Sequence, residues 1–145
     1  MSHGREEGIG ESIDIVEVHS GDGDGLLRLL LGFVSAHDPL DMLHIACGRQ
    51  ATGDAGCDAL YLERTDQDLA CSGEVPGLRV GAMDLELAVS PAGALALALR
   101  ERVRFTFQAQ PGLLAQAVAQ LARMAAAGQA CIAFGKEGDG LDGAR

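Results

Sequence analysis

Aromatic side chains are scarce in this chain, which has four Phe, one Tyr and no Trp among its 145 residues. Proteins that bind single-stranded nucleic acid stack the bases on aromatic side chains, and that platform is missing here. Basic residues are also in deficit, with 11 Lys and Arg against 21 Asp and Glu and a formal net charge of −10. Because nucleic acids and anionic membranes both attract positive charge, we expect neither of them as a partner.

Long apolar runs are absent as well. The longest, around Leu26–Ala36, is interrupted by Arg28 and is too short to span a bilayer. Residues 1–12 are polar and contain three Glu, unlike a signal peptide with its basic start and apolar stretch. The cysteines show no CxxC spacing, and they stand at Cys47, Cys57, Cys71 and Cys131. Without a secretion signal, we expect free thiols in a cytoplasmic protein.

The overall composition is that of one globular domain. The chain is 48% hydrophobic and 22% charged, and 145 residues are enough to bury roughly two thirds of the unfolded surface. Both ends are rich in glycine and acidic residues, which predicts disordered tails at residues 1–11 and 136–145. A single domain is therefore expected over residues 12–135.

Two main helices are predicted, and the first covers about residues 25–36. Leu26, Leu27, Leu30 and Val34 recur there at helical spacing, and Asp24 is placed as an N-cap. Apolar side chains surround nearly the whole girth of this segment, so we expect a largely buried helix.

The second main helix is predicted at residues 111–127. Pro111 stands at its first turn and Gly128 just past its end, as is typical of helix boundaries. Its apolar stripe is expected at Leu114, Val118, Leu121 and Ala125. Polar side chains are expected off that stripe at Gln116, Gln120 and Arg123.

The remaining segments read mostly as strands. They are Ile13–Val18, Leu40–Cys47, Asp58–Arg64, Leu69–Glu74, Leu78–Val89, Arg102–Gln108 and Cys131–Phe134. Residues 90–99 fit either a hairpin or a helix, and Ser90 followed by Pro91 favours a short helix, Pro91–Leu97. Together, these strands and helices predict an α+β fold, in which the two main helices pack on one face of a mostly antiparallel sheet.

Familiar catalytic, metal and cofactor motifs are missing. Asp22 and Asp24 are spaced like the start of a calcium loop, but the twelfth position is Phe33, where a glutamate is required. The glycine-rich turn at 21–25 follows a strand, yet it carries two carboxylates and no lysine where a phosphate would sit. We predict no catalytic residue, no metal and no cofactor.

An acidic segment extends from Glu63 to Glu74 and includes Asp66 and Asp68, with Arg64 as its only cation. On a predicted hairpin tip, these carboxylates form either a solvated loop or a rim for a positively charged partner, since rim charges set encounter rate and specificity. The candidate partner-binding residues are Glu63, Asp66, Asp68 and Glu74.

The stretch Ala59–Phe107 carries a series of motifs in a recognisable order. They are YLER at 61–64 followed by Asp66-Gln67, CSGE at 71–74, the alternating strand 83–89 and SPAGAL at 90–95. This order resembles the bacterial Immunity protein 10 family over about a third of the chain. The chain departs from the family pattern at Cys71 or Ser72, where the family has tyrosine. It departs again at residues 97–99, where Leu-Gly is usual.

The resemblance implies a cytoplasmic antidote that binds and neutralises the cognate toxin of a polymorphic toxin system, and it carries over no catalytic residue. An acidic antidote suits a basic toxin, because its carboxylates can occupy a phosphate-binding cleft. The alternative is a small ligand-binding or enzymatic domain with a site assembled from scattered residues such as His19, His44, Cys71 and Glu74. Polar groups that converge in a pocket would favour this alternative, whereas a flat acidic patch would favour the antidote.

Overall fold

The structure is a computed structural model that describes residues 11–35, 40–48, 60–64 and 69–135. In chain order its elements are β1 (Glu11–Gly23), β2 (Leu26–Phe33), β3 (Asp41–Gly48), β4 (Tyr61–Arg64), β5 (Ala70–Ser72), β6 (Gly77–Val80), β7 (Asp84–Ala88), α1 (Pro91–Leu97), β8 (Arg102–Thr106), α2 (Gly112–Ala126) and β9 (Ile132–Phe134). The predicted tails lie outside the described residues except for Glu11, which begins β1. Cys57, Asp66 and Asp68 also lie outside them.

The described strands form one nine-stranded sheet in the order β5-β4-β3-β2-β1-β8-β7-β6-β9. Neighbours are antiparallel except for the parallel pairs β1–β8 and β6–β9. Buried side chains from α1 and α2 join those of one sheet face in a single apolar core. The predicted α+β fold with a mostly antiparallel sheet is thus confirmed. The opposite face of the sheet is called the open face below.

The prediction of a helix at residues 25–36 is wrong, because Leu26–Phe33 forms the strand β2. Asp24 and Gly25 make a two-residue hairpin loop with positive φ angles of 57° and 78°, as a type I′ turn requires. The buried residues of β2 alternate, and they are Leu27, Leu29, Leu31 and Phe33. Leu26 and Leu30 on the open face are half-buried, which explains why the segment looks apolar all round in the sequence.

A β-bulge keeps the longest strand in register with the core. Ile15 opposes Phe33 and Glu17 opposes Gly32, so Val16 is an extra residue without a partner of its own in β2. Because of this insertion, buried Val18 lies on the same face as buried Ile15 despite a spacing of three. Simple alternation in the sequence does not reveal that shift.

The segment predicted as one strand at Leu78–Val89 is instead the hairpin β6–β7. The amide of Gly81 donates to the carbonyl of Asp84 over 2.8 Å, which closes the turn between the strands. The short helix predicted at Pro91–Leu97 is confirmed as α1. Its N-cap is Ser90, whose Oγ accepts a hydrogen bond from the amide of Gly93 at 3.0 Å.

Helix α2 packs through a slightly rotated stripe. Leu121 is buried as predicted, whereas Leu114 and Val118 are only half-buried at its margins. Gln120, predicted off the stripe, is 3% exposed. Its Nε2 donates to the carbonyls of Gly21 at 3.0 Å and Arg28 at 2.9 Å, so it ties α2 to the β1–β2 hairpin.

A buried ion pair joins β3, β4 and α1. Nη2 of Arg64 lies 2.6 Å from Oδ2 of Asp41, and the two side chains are 12% and 9% exposed. Nη1 of Arg64 donates to the last carbonyls of α1, those of Leu97 at 3.1 Å and Ala98 at 2.9 Å. The guanidinium also lies 5.6 Å from the ring centroid of Phe33.

Replacing Gln120 with Met tests the link between α2 and the hairpin. The variant keeps the side-chain length but removes both hydrogen bonds to the hairpin, so we expect the free energy of unfolding to fall by about 1–3 kcal/mol. Urea denaturation provides the measurement. Gln116→Met, on an exposed position of the same helix, is the control and should change stability by less than about 0.5 kcal/mol. Equal effects would contradict the link.

Replacing Arg64 with Met tests the ion pair. The change removes the cation from a buried ion pair, so we expect the free energy of unfolding to fall by about 3–5 kcal/mol in the same measurement. Arg79→Met is the control, because the side chain of Arg79 is 51% exposed in its ion pair with Glu86. The free energy of unfolding of this variant should fall by less than about 1 kcal/mol. A small loss in Arg64→Met would show that the pair does not hold these elements together.

Candidate protein-binding site

The predicted partner-binding residues do not form one described cluster. Glu63 lies on the open face of β4, where it opposes His44 of β3 and Ala70 of β5. Glu74 follows the other end of the β4–β5 ladder, where the amide of Gly73 donates to the carbonyl of Leu60. The two glutamates therefore lie at opposite ends of this hairpin. Asp66 and Asp68 fall outside the described residues.

Glu74 has a structural task at the start of α1. Its carboxylate accepts a hydrogen bond from Oγ of Ser90, and its carbonyl accepts one from the Ser90 amide at 2.9 Å. Gly93 in the first turn allows a close approach, since a Cβ there would lie 2.8 Å from Cβ of Glu74. The side chain is half-buried. A partner-binding role for Glu74 remains a prediction beside this observed role.

Strand register gathers five half-buried side chains on the open face. His44 opposes Leu30 on one side and Glu63 on the other, and Tyr61 and Met42 flank this row. We call these five residues the His44 patch. A cavity of about 260 Å³ lies over the patch, lined by Leu30, Leu40, Met42, His44, Glu63 and Arg64.

His44 is held in the patch as a neutral ring. Its Nε2 is buried and has no hydrogen-bond partner within the described part of the chain. Burial lowers the pKa of His44, the carboxylate of Glu63 counteracts this, and the charge of Arg28 lowers the pKa further. The ring meets Tyr61 edge to face, with centroids 6.5 Å apart.

Tyr61 and Glu63 form a second interaction within the patch. The hydroxyl of Tyr61 donates to Oε1 of Glu63 at 2.8 Å. This hydrogen bond raises the pKa of Tyr61, and burial and the charge of Glu63 add to the effect. The five residues of the patch therefore comprise one carboxylate and four apolar or neutral side chains, and Arg28 lies close enough for its charge to act on His44.

The scattered residues of the enzymatic alternative do not converge. His19 lies in the same row as His44, but β2 separates them, which puts their strands about 10 Å apart. Cys71 opposes Leu62, a core residue, so its side chain is on the other face of the sheet. Burial raises the pKa of the Cys71 thiol, and Glu74 raises it further, which disfavours the nucleophilic thiolate.

Sequence reasoning identified Glu63 and His44 individually but missed Leu30, Met42 and Tyr61 as members of the same site. The assignment of β2 as a helix concealed the position of Leu30. The Asp24-Gly25 dipeptide was the available signal, because it favours a tight hairpin that would have placed Leu30 on a strand.

No family model, curated protein or solved structure matches this chain. Membership of the Immunity protein 10 family therefore remains a prediction from the motifs between Ala59 and Phe107. In the described ranges, no helix is long and apolar enough to cross a membrane. The same ranges contain no group of three or more His, Cys, Asp or Glu residues placed to hold a metal ion.

The neutral state of His44 predicts a pH dependence of stability. Because its pKa is lowered in the folded protein, the unfolded chain takes up the proton first as the pH falls. The contribution of the neutral His44 ring to the free energy of unfolding is intact above about pH 6.5. It is lost as the pH falls through the pKa that His44 has in the folded protein. We expect the stability of the wild type relative to His44→Phe to be constant near pH 8 and to decrease below about pH 6.5.

His19→Phe is the matched control, because its side chain is 59% exposed and His44 is retained. Its stability should follow that of the wild type through the same pH range. Glu63→Gln should lower the pKa of His44 further, as followed by NMR titration of the imidazole. A His44 pKa at or above 6.5 in the wild type would contradict the assignment.

Proposed function

We propose that this chain is a non-enzymatic protein-binding domain, an immunity protein that neutralises a cognate bacterial toxin through the His44 patch. The observation that carries the proposal is the patch itself. It combines apolar and polar side chains around a cavity on the open face of the sheet. Exposed Val34 and Leu40 follow β2 and precede β3, and they extend the apolar surface at that end. Apolar patches of this kind mark protein interaction sites.

The chemistry of the patch fits a protein partner. Tyr and Met are enriched at the centres of protein interfaces, where their large side chains supply contact area. Tyr61 is fixed by its hydrogen bond to Glu63, so little side-chain entropy remains to be lost on binding. Met42 on β3 and Tyr61 on β4 lie on neighbouring strands of the same sheet face.

The charge of the chain supports a basic partner. A net charge of −10 attracts positively charged proteins over several ångströms and raises the rate of encounter. Glu63 in the patch offers a carboxylate that can accept a hydrogen bond from an Arg or Lys of the partner. This combination is what an antidote to a basic toxin requires.

The absence of convergence among His19, His44, Cys71 and Glu74 supports binding over catalysis. A nucleophile needs an activating base within hydrogen-bond reach, and the Cys71 thiol lies on the opposite face from His44. The enzymatic alternative loses the four-residue site suggested by the sequence, and the polar groups that do converge, those of His44, Tyr61 and Glu63, include no thiol and no serine hydroxyl.

Met42→Lys tests the proposed surface. A positive charge placed in the patch would repel a basic partner, and we expect the dissociation constant for the toxin encoded beside this gene to rise at least about tenfold. Isothermal titration calorimetry measures the affinity. Co-expression in cells that produce the toxin should rescue growth with the wild type but not with Met42→Lys.

Gln116→Lys is the control, because it adds the same charge at an exposed position of α2. It should keep wild-type affinity and growth rescue, and both variants should keep a wild-type melting temperature. No association at micromolar concentration would overturn the immunity proposal. Equal losses in both variants would show that net charge, rather than the His44 patch, governs binding.

A further inference from the structure

A second cavity, of about 390 Å³, lies on the open face over β6, β7, β8 and β9. It arises from the strand register. Gly77 opposes Ala88, and Ala88 opposes Arg102, so a glycine and an alanine lie beside a long side chain. Arg79 and Glu86 form the next pair along β6 and β7 and bound the depression on that side. We call this depression the Arg102 cavity.

The charges around the Arg102 cavity are unequal. Glu86 is shared by three arginines, with Nη2 of Arg79 at 2.8 Å, Nη2 of Arg104 at 3.7 Å and Nη2 of Arg102 at 4.0 Å. Nε of Arg104 also lies 3.2 Å from Oδ2 of Asp84, although its alignment is too poor for a hydrogen bond. Among the described residues, three guanidinium groups face two carboxylates at this place, in a chain whose net charge is −10.

Of the three arginines, Arg102 has the longest and weakest contact with these carboxylates. Its contact with Glu86, at 4.0 Å, is too long for a hydrogen bond, whereas Arg79 makes one with the same carboxylate at 2.8 Å. The guanidinium of Arg102 makes no hydrogen bond with the described residues, and its side chain is 51% exposed. Its planar fork of N–H donors is therefore available to a ligand at the wall of the cavity.

We propose that the Arg102 cavity binds a small organic monoanion, with a carboxylate on the guanidinium of Arg102 and an apolar body over the small side chains. The fork of an arginine matches a carboxylate in a bidentate geometry. The volume falls within the range of about 300–1,000 Å³ typical of ligand pockets. Pro76, Ala88, Ala130 and Ala133 supply apolar walls for the ligand body.

The neighbouring groups restrict the ligand further. Glu86, 15% exposed beside the cavity, repels a second negative charge, so the site selects a monoanion over the phosphate dianion. Cys131 also lines the cavity, and burial raises the pKa of its thiol. A thiol held in its protonated form adds no negative charge to the cavity, so Cys131 does not repel the carboxylate. This site is independent of the proposed toxin-binding surface.

The experiment is an NMR titration of the ¹⁵N-labelled full chain with benzoate, with its neutral isostere benzamide and with inorganic phosphate. Benzoate should shift the amide resonances of Gly77 and Ala88 saturably. Benzamide and phosphate should each bind at least about tenfold more weakly, since one lacks the charge and the other lacks the apolar body. Equal affinity for benzoate and either of the other two would overturn the proposal.

Two variants locate the site. Arg102→Gln should weaken benzoate binding at least about tenfold. Arg123→Gln is the matched control, because it removes the same charge from a side chain that is 52% exposed. Arg123 pairs with Asp22 on the other side of the sheet, away from the Arg102 cavity. Equal losses in these two variants would show non-specific attraction and overturn the assignment to Arg102.

Gly77→Val tests the cavity without relying on charge. A Cβ at Gly77 meets no heavy atom within 4 Å, so the larger side chain enters open space and fills the depression. Benzoate binding should be lost while the thermal unfolding curve stays that of the wild type. Retained affinity in a folded Gly77→Val protein would overturn the cavity as the binding site. If that variant fails to fold, the comparison of Arg102→Gln with Arg123→Gln decides alone.

Discussion

The guanidinium of Arg64 connects β3, β4 and the end of α1, and the register of the open face depends on it. Removing a charge from water costs several kcal/mol, so Arg64 and Asp41 are stable in the interior only when both are in place. Their pairing fixes β4 against β3 and thereby sets Glu63 opposite His44. A slip of one residue would turn Glu63 toward the core and destroy the His44 patch.

Elements with agreeing local signals could be predicted from the sequence. Ser90 and Pro91 mark the start of α1, and Gly128, with a φ of 119°, follows α2. For β2 the signals conflicted, because leucine favours helices and a run that is apolar on both sides resembles a buried helix. The Asp24-Gly25 turn was the stronger local signal. Only the pairing of β2 with β1 and β3 shows that its second face is also half-buried.

The candidate site was less predictable than the fold, because it depends on contacts between distant strands. The sequence shows that Glu63 is an acidic residue and that His44 is on a strand, but their opposition follows from a register with no local signal. Gln120 illustrates the same limit, since its acceptors lie about a hundred residues earlier in the chain. Glu74 appeared to be a surface charge because its partner Ser90 belongs to another element.

The sheet carries opposite charges at two separate places on its open face. The β1–β8 junction between them is fixed by Asp14, which accepts hydrogen bonds from Thr106 Oγ1 at 2.6 Å and from the amides of Gln108 and Ala109. Burial raises the pKa of Asp14, but these hydrogen bonds together outweigh it and lower the pKa overall. Asp14 therefore stays ionised and holds the junction at neutral pH. The carboxylate of Glu63 and the guanidinium of Arg102 are kept apart on one continuous sheet, so a basic partner and a small anion would not compete for the same surface.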